Sequence, residues 1–254
     1  MKIKSFLLSS LLFISLLMCG QEKKPEFETP MQLLVFSKTS GFRHGSISEG
    51  VKMLYDLSKQ QNWLLTTTED ASVFNNEFLK NIDVVVFMNP TGDALTEAEQ
   101  ASFEKFMKTG KGMVGIHAAA DFEYEWPFYG KMLGGWFKSH PPSQEATVVF
   151  ENFDHPAMIP FKGMKSYTTY DEWYSFKSNP RPNVNVLASL DENSIKKYEN
   201  DNWRMGDHPL IWWQETGGMR SFYTGFGHTP EAFQDKKIIE HIKNSINWAA
   251  KRLN

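Results

Sequence analysis

Apolar residues recur along this chain with two alternating periods, and the alternation predicts a wound α/β sheet. Residues 31–37 (MQLLVFS) form a near-continuous apolar run, suited to a strand covered on both faces. Residues 46–61 follow with apolar side chains at Ile47, Val51, Leu54, Tyr55 and Leu57, which share one helical face. Further strands are read at 63–68, 82–88 (IDVVVFM) and 112–116. Thr96, with Glu99 three positions on, forms a capping-box pattern that opens a helix running to about Thr109, and Gly110 closes it. A short helix over 126–133 ends in Gly134-Gly135. Strands and helices alternating in this way predict a mostly parallel sheet with helices on both faces. In such sheets ligands sit at the carboxyl ends of the strands.

The second half has a different rhythm. Residues 145–150, 165–176, 183–190, 209–214 and 219–225 are strand-like and are joined by loops rich in Pro, Asn and Asp. They are expected either to extend the sheet or to form an antiparallel excursion over the site. Residues 236–252 read as a terminal amphipathic helix with Ile238, Ile239, Ile242, Ile246 and Trp248 on its apolar face. No internal repeat or low-complexity tract interrupts this order, so residues 31–252 form one domain.

The segment before it reads as targeting. Lys2 and Lys4 precede an apolar run too short to span a bilayer, and that run ends Leu16-Leu17-Met18-Cys19. Residues 1–18 are therefore expected to be a lipoprotein signal, with Cys19 lipidated and residues 19–30 a charged, proline-bearing tether. An ordinary secretory leader is the alternative. On the lipoprotein reading the protein is placed in the cell envelope, facing periplasm or cell surface. Cys19 is the chain's one cysteine, so the domain has no thiol for catalysis and no disulfide. The net charge is −3 and becomes more acidic once Lys2 and Lys4 leave, which argues against nucleic acid as a partner. The 8 Trp, 8 Tyr and 20 Phe suit a large core, or faces that stack on sugar rings.

His117 ends the strand at 112–116 and runs into Ala118-Ala119-Ala120, the strand-to-helix turn where hydrolases carry a nucleophile. An imidazole there is a base or a metal ligand. His44 follows the first strand and His228 the last, so on the wound reading the three histidines share one edge of the sheet. His140 follows the Gly134-Gly135 pair, whose freedom lets a loop fold over a crevice. His155 and His208, each before a proline, read as turn formers, and His241 as a solvated helix residue. Asp171 and Glu172 lie together on the expected strand 165–176, where consecutive acids face opposite sides. One of them could serve as base or ligand. Arg43 is a candidate for holding a polar substrate, and Asp121 for orienting an imidazole. Several neutral histidines with a carboxylate suit a divalent metal such as zinc, although the spacings match no compact zinc motif.

With these segments in view the chain resembles the trehalose-utilisation (ThuA-like) family. The matching stretches are Gly41-Phe-Arg-His-Gly-Ser-Ile47, Gly115-Ile-His-Ala-Ala119, Leu133-Gly-Gly-Trp-Phe-Lys-Ser-His-Pro141, Asp171-Glu-Trp-Tyr174, His208-Pro-Leu-Ile-Trp212 and Phe222-Tyr-Thr-Gly-Phe-Gly-His228. The resemblance implies a flavodoxin-like α/β fold of the class I glutamine amidotransferase-like superfamily. In that superfamily a Gly-x-Cys-x-Gly turn carries the nucleophile, and here His117 stands in the place of the Cys. Without a thiolate no acyl intermediate forms, which excludes glutamine amidotransfer. The resemblance further implies sugar catabolism beside oxidoreductases that make 3-keto-glycosides. The expected activity is elimination and hydrolysis of such oxidised glycosides. His117 and His228, with Glu172, would do the proton transfer, with or without a metal on His44, His117, His140 and His228. Arg43, His44, His140 and Asp171 would hold substrate, and Trp136 or Trp173 would stack on its ring. Two alternatives stay open: a non-catalytic sugar-binding lipoprotein, and a purely structural domain.

Overall fold

A computed structural model describes residues 29–197 and 200–254. Strands β1 (Met31–Phe36), β2 (Trp63–Thr68), β3 (Val84–Met88) and β4 (Gly112–Ile116) alternate with helices α1 (Ile47–Gln60), α2 (Asn76–Leu79), α3 (Glu97–Lys108) and α4 (Pro127–Leu133). The second half contributes β5 (Phe137–Ser139), β6 (Gln144–Phe150), β7 (Ser166–Asp171), β8 (Ser175–Phe176), β9 (Asn185–Asp191), β10 (Pro209–Thr216) and β11 (Met219–Thr224). Helix α5 (Lys236–Ala249) follows.

One nine-stranded sheet runs β2-β1-β3-β4-β11-β10-β9-β6-β7. From β2 to β11 every neighbouring pair is parallel, and from β11 to β7 every pair is antiparallel. Of the two arrangements open to the later strands, they therefore take the first and extend the sheet. Among the described residues only β5 and β8 stand apart, as a two-stranded ribbon.

The period of two along the parallel strands sorts their side chains between two cores. Leu33, Val35, Val84, Val86 and Val114 pack with Leu54 of α1 and with Ile238, Ile242 and Ile246 of α5. Leu34, Phe36, Val85, Phe87 and Met113 face the other way, onto Phe103 and Phe106 of α3 and Tyr129 and Leu133 of α4. Strands β3 and β4 are buried along their whole length, which their apolar runs require. At roughly 1.5–3 kcal/mol for each large apolar side chain buried, these two layers supply the main stabilisation. Close approach explains two of the glycines in β4. A Cβ on Gly112 would lie 2.2 Å from the Ala249 carbonyl oxygen, and one on Gly115 2.5 Å from Leu133.

The capping box at Thr96 and Glu99 is present, and Gly110 leaves α3 with φ +85°. Two boundaries differ from expectation. Helix α5 stops at Ala249, and Lys251 beyond it has φ +59°. The run 165–176 is not one strand, because the ladder ends at Asp171 and resumes as β8 in the other sheet. That break lies at the site.

Candidate functional site

The parallel strands deliver their carboxyl ends to one edge of the sheet. Beyond β1 stands His44, beyond β3 Asn89, beyond β4 His117 and beyond β11 His228. The end of β7 brings Asp171 and Glu172 to them, and the loop after β5 brings His140. All of these were sequence candidates except Asn89.

His117 has φ +41°, a region that non-glycine residues seldom occupy. The turn is held from several sides. The Tyr223 hydroxyl donates to the His117 carbonyl at 2.9 Å, and the Tyr129 hydroxyl to the Ala119 carbonyl at 2.8 Å. The His117 ring is fully buried, and its Nδ1 lies 3.2 Å from the Gly225 carbonyl. A carbonyl only accepts, so Nδ1 is the donor, and Nε2 is the ring nitrogen that faces Glu172.

Around Nε2 the other groups converge. One ligand atom from each of His44, His117, Glu172 and His228 lies within 4.8 Å of the rest. Glu172 Oε2 is 3.5 Å from His117 Nε2 and 3.1 Å from His228 Nδ1, while Oε1 is 3.1 Å from His140 Nδ1. The His44 ring stands edge-on to those of His117 and His228, at 5.1 and 5.2 Å. His44 Nδ1, His117 Nε2 and His228 Nδ1 are all buried without a hydrogen bond of acceptable geometry. Buried polar atoms are almost always satisfied, so three orphaned ring nitrogens about one carboxylate form a donor set in need of a partner.

The electrostatics follow from this packing. Burial works to raise the Glu172 carboxyl, but His117 and His228 outweigh it and hold it well below the usual carboxylate range. Burial lowers His44 to about 3, helped by the neighbouring imidazoles, and so keeps it neutral. Burial also opposes charge on His228, yet the Glu172 carboxylate beside it prevails and raises its pKa. Glu172 is thus held anionic and His44 neutral, while a cation bound at His228 would have to displace the proton that Glu172 favours there.

Asp171 has a different task from the one expected. Both acids are buried, contrary to the rule for neighbours on a strand, because β7 ends between them. The Asp171 carboxylate accepts the backbone N–H groups of Gly227, His228, Thr229 and Glu172 at 2.9–3.1 Å. It pins the loop that carries His228 and turns Glu172 into the cluster, and no oxygen is left facing a substrate.

Several other candidates lie outside the cluster. Arg43 pairs with Glu69 at 2.6 Å, both half exposed. Trp173 is fully buried, its indole N–H donating to the Gln144 carbonyl, so it stacks on no ligand. Trp136 packs over Gly130, where a Cβ would meet its ring at 2.2 Å. Asp121 accepts from the Tyr124 hydroxyl and does not orient His117. His155 caps the turn over Pro156–Phe161, and His208 bridges Glu192 and the Tyr174 carbonyl at 2.8 Å each. His241, expected to be solvated, is fully buried and bonded to the Ala157 carbonyl. Cys19 and the leader lie outside the described residues.

Asn89 is the residue the sequence reading missed. Fully buried and with φ +50°, it donates to Ser46 Oγ and the Gly227 carbonyl at 3.1 and 2.9 Å. It accepts the Ala118 N–H at 3.2 Å. One amide thus ties together the loops that bear His44, His117 and His228. Its signal was a polar residue directly after a buried central strand. Tyr174 was likewise quoted only within a motif. Its ring packs 4.0 Å from that of His117, and its hydroxyl reaches His44 Nε2 at 3.4 Å.

Comparison with known proteins bears on the fold and the family. A crystal structure of a ThuA-like protein from Bacteroides uniformis ATCC 8492 superposes with a TM-score of 0.71. It is 28% identical, and the match covers 87% of this chain and 92% of that one. A ThuA-like protein from Parabacteroides merdae ATCC 43184 gives 0.70 at 19% identity, over 89% and 91% of the two chains. PurLQS from Thermotoga maritima shares the fold alone, at a TM-score of 0.52 and 13% identity, with 87% and 99% covered. No curated protein sequence matches the chain. The profile of the ThuA family, described as trehalose utilisation, matches residues 32–249, so this chain belongs to the ThuA family, with its glutamine amidotransferase-like fold.

Proposed function

We propose that this protein is a metal-dependent enzyme of sugar metabolism that cleaves oxidised glycosides. The role in sugar metabolism follows from the family. The observation that carries the chemistry is the trio of orphaned ring nitrogens on His44, His117 and His228 around Glu172. A divalent cation held there would supply a Lewis acid for a carbonyl oxygen. His140 is then the imidazole left to meet substrate, since its side chain is 38% exposed while that of His117 is fully buried. Its Nδ1 faces Glu172 and the Pro141 carbonyl, which leaves Nε2 as the proton acceptor.

On a 3-keto-glycoside the balance is simple. His140 takes the proton from C2, the electron pair forms the C1–C2 double bond, and the C1–O bond breaks with its pair going to the leaving alcohol. That alcohol takes up a proton. Water then adds, with hydroxyl to C1 and hydrogen to C2, so the overall change is hydrolysis without oxidation. The sugar oxidoreductases that install the ketone are the implied partners. A lipid on Cys19 would hold the enzyme in the cell envelope.

Elemental analysis of the purified protein tests the reading, together with turnover of a 3-keto-glucoside before and after chelation. About one equivalent of metal, lost in His117→Ala and Glu172→Gln together with turnover, is the expected result. Turnover that survives chelation would reduce the site to acid–base chemistry. Sugar binding without turnover would make the protein a carrier.

A further inference from the structure

We propose that Phe42 is the platform on which the substrate ring stacks, so that the site selects a pyranose-type ring presenting an apolar C–H face. This deepens the reading of the cluster as a sugar-acting centre and rests on it. Phe42 is 66% exposed, the most exposed of the large apolar side chains among the described residues. Its ring stands perpendicular to that of His44 with centroids 5.0 Å apart, and so borders the histidine cluster directly.

The position is built. The Phe42 carbonyl accepts the Thr91 hydroxyl at 2.8 Å, the Gly41 N–H reaches the same hydroxyl at 3.3 Å, and Ser40 N–H donates to the Thr91 carbonyl at 2.8 Å. Thr91 is itself fully buried. A backbone held this firmly presents the ring to solvent and forgoes the gain that burial of a phenylalanine brings. The other aromatics of the cluster are already engaged. Tyr174 lies between His117 and Phe137, at 4.0 and 4.1 Å, and Trp173 is enclosed.

The most exposed histidine of the cluster is His140, its ring stacked on Phe137 at 5.8 Å. A ligand seated on the imidazoles beside Phe42 therefore has an aromatic ring and polar groups both within reach. Pyranose rings have this duality, because their axial C–H bonds suit the electron-rich face of an aromatic ring while their hydroxyls bond to imidazole and carboxylate. A flat anion or an open-chain acid makes no use of Phe42.

The test compares wild type with Phe42→Ala, Phe42→Leu and Phe42→Trp, all loaded with metal. Calorimetry with methyl β-glucoside and its 3-keto derivative is the binding probe, and steady-state kinetics on the keto derivative the second readout. Phe42→Ala should weaken binding and raise KM about tenfold, with kcat, metal content and melting midpoint near wild type. Phe42→Trp should restore affinity, and Phe42→Leu should not. Equal affinity in wild type and Phe42→Ala overturns the platform and leaves the sugar reading standing. A metal-loaded wild type that binds neither pyranoside overturns both.

Discussion

Two buried histidines far from the cluster should make this fold sensitive to acid. His155 Nδ1 accepts the Ala157 N–H at 3.2 Å, and His241 Nδ1 donates to the Ala157 carbonyl at 2.9 Å. The backbone of one residue, Ala157, thus meets both rings, within an apolar layer that includes Phe222 and Trp248. Burial lowers His155 to about 3, with His241 and Arg220 adding to it, and lowers His241 to about 4. Both folded values lie below the ordinary 6.5, so under acid the unfolded chain binds protons that the native protein refuses. The stability these rings contribute is complete above pH 6.5, falls progressively below it, and is fully lost once pH passes about 4 for His241 and about 3 for His155. At pH 5 an unfolded histidine gains about 2 kcal/mol from protonation, so the pair costs about 4 kcal/mol relative to pH 8. For a chain of this size that is a fall in melting midpoint of about 10 °C. Urea unfolding at both pH values would measure it on wild type, His155→Asn and His241→Asn. Each substitution should reduce the pH-dependent loss by about 2 kcal/mol, whatever it costs at pH 8. His44 titrates in the same direction, so the difference between wild type and variant is the quantity to read. Wild-type slopes in both variants would refute the reasoning.

Two further outcomes follow from the site. Asp171→Asn leaves at least one of the four N–H groups at the β7 terminus without its acceptor and should cost about 3 kcal/mol in urea unfolding. It should also weaken metal binding about tenfold or more, and unaltered affinity in a metal titration would contradict the role of positioning His228 and Glu172. His117→Cys restores a thiol at the turn, yet it should release no glutamate from glutamine. The Ala118 N–H, the donor such a turn offers an oxyanion, is already bonded to Asn89. Measurable glutaminase activity would overturn that account.

Much of this protein is legible locally. Apolar periodicity marks β1, β3 and β4 within two residues, and the Thr96–Glu99 box with Gly110 marks both ends of α3. Both are short-range effects, set by side chains a few positions apart and by φ at one residue. Wound-sheet logic likewise sends His44, His117 and His228 to one edge, because parallel strands all end on the same side. The roles within the site depend on distance in space instead. Whether Asp171 and Glu172 face substrate is decided by the loop after β11, which caps β7 and buries both. Trp173 is an aromatic candidate from the sequence and Phe42 is not, but packing encloses the first and leaves the second in solvent. Asn89 gains its function only where three loops, distant in the chain, meet at one amide. The sequence by itself therefore determined the elements, the edge and the loss of the thiol nucleophile. The tertiary structure decided which groups touch, because hydrogen bonds and burial are properties of neighbours that the chain order does not list.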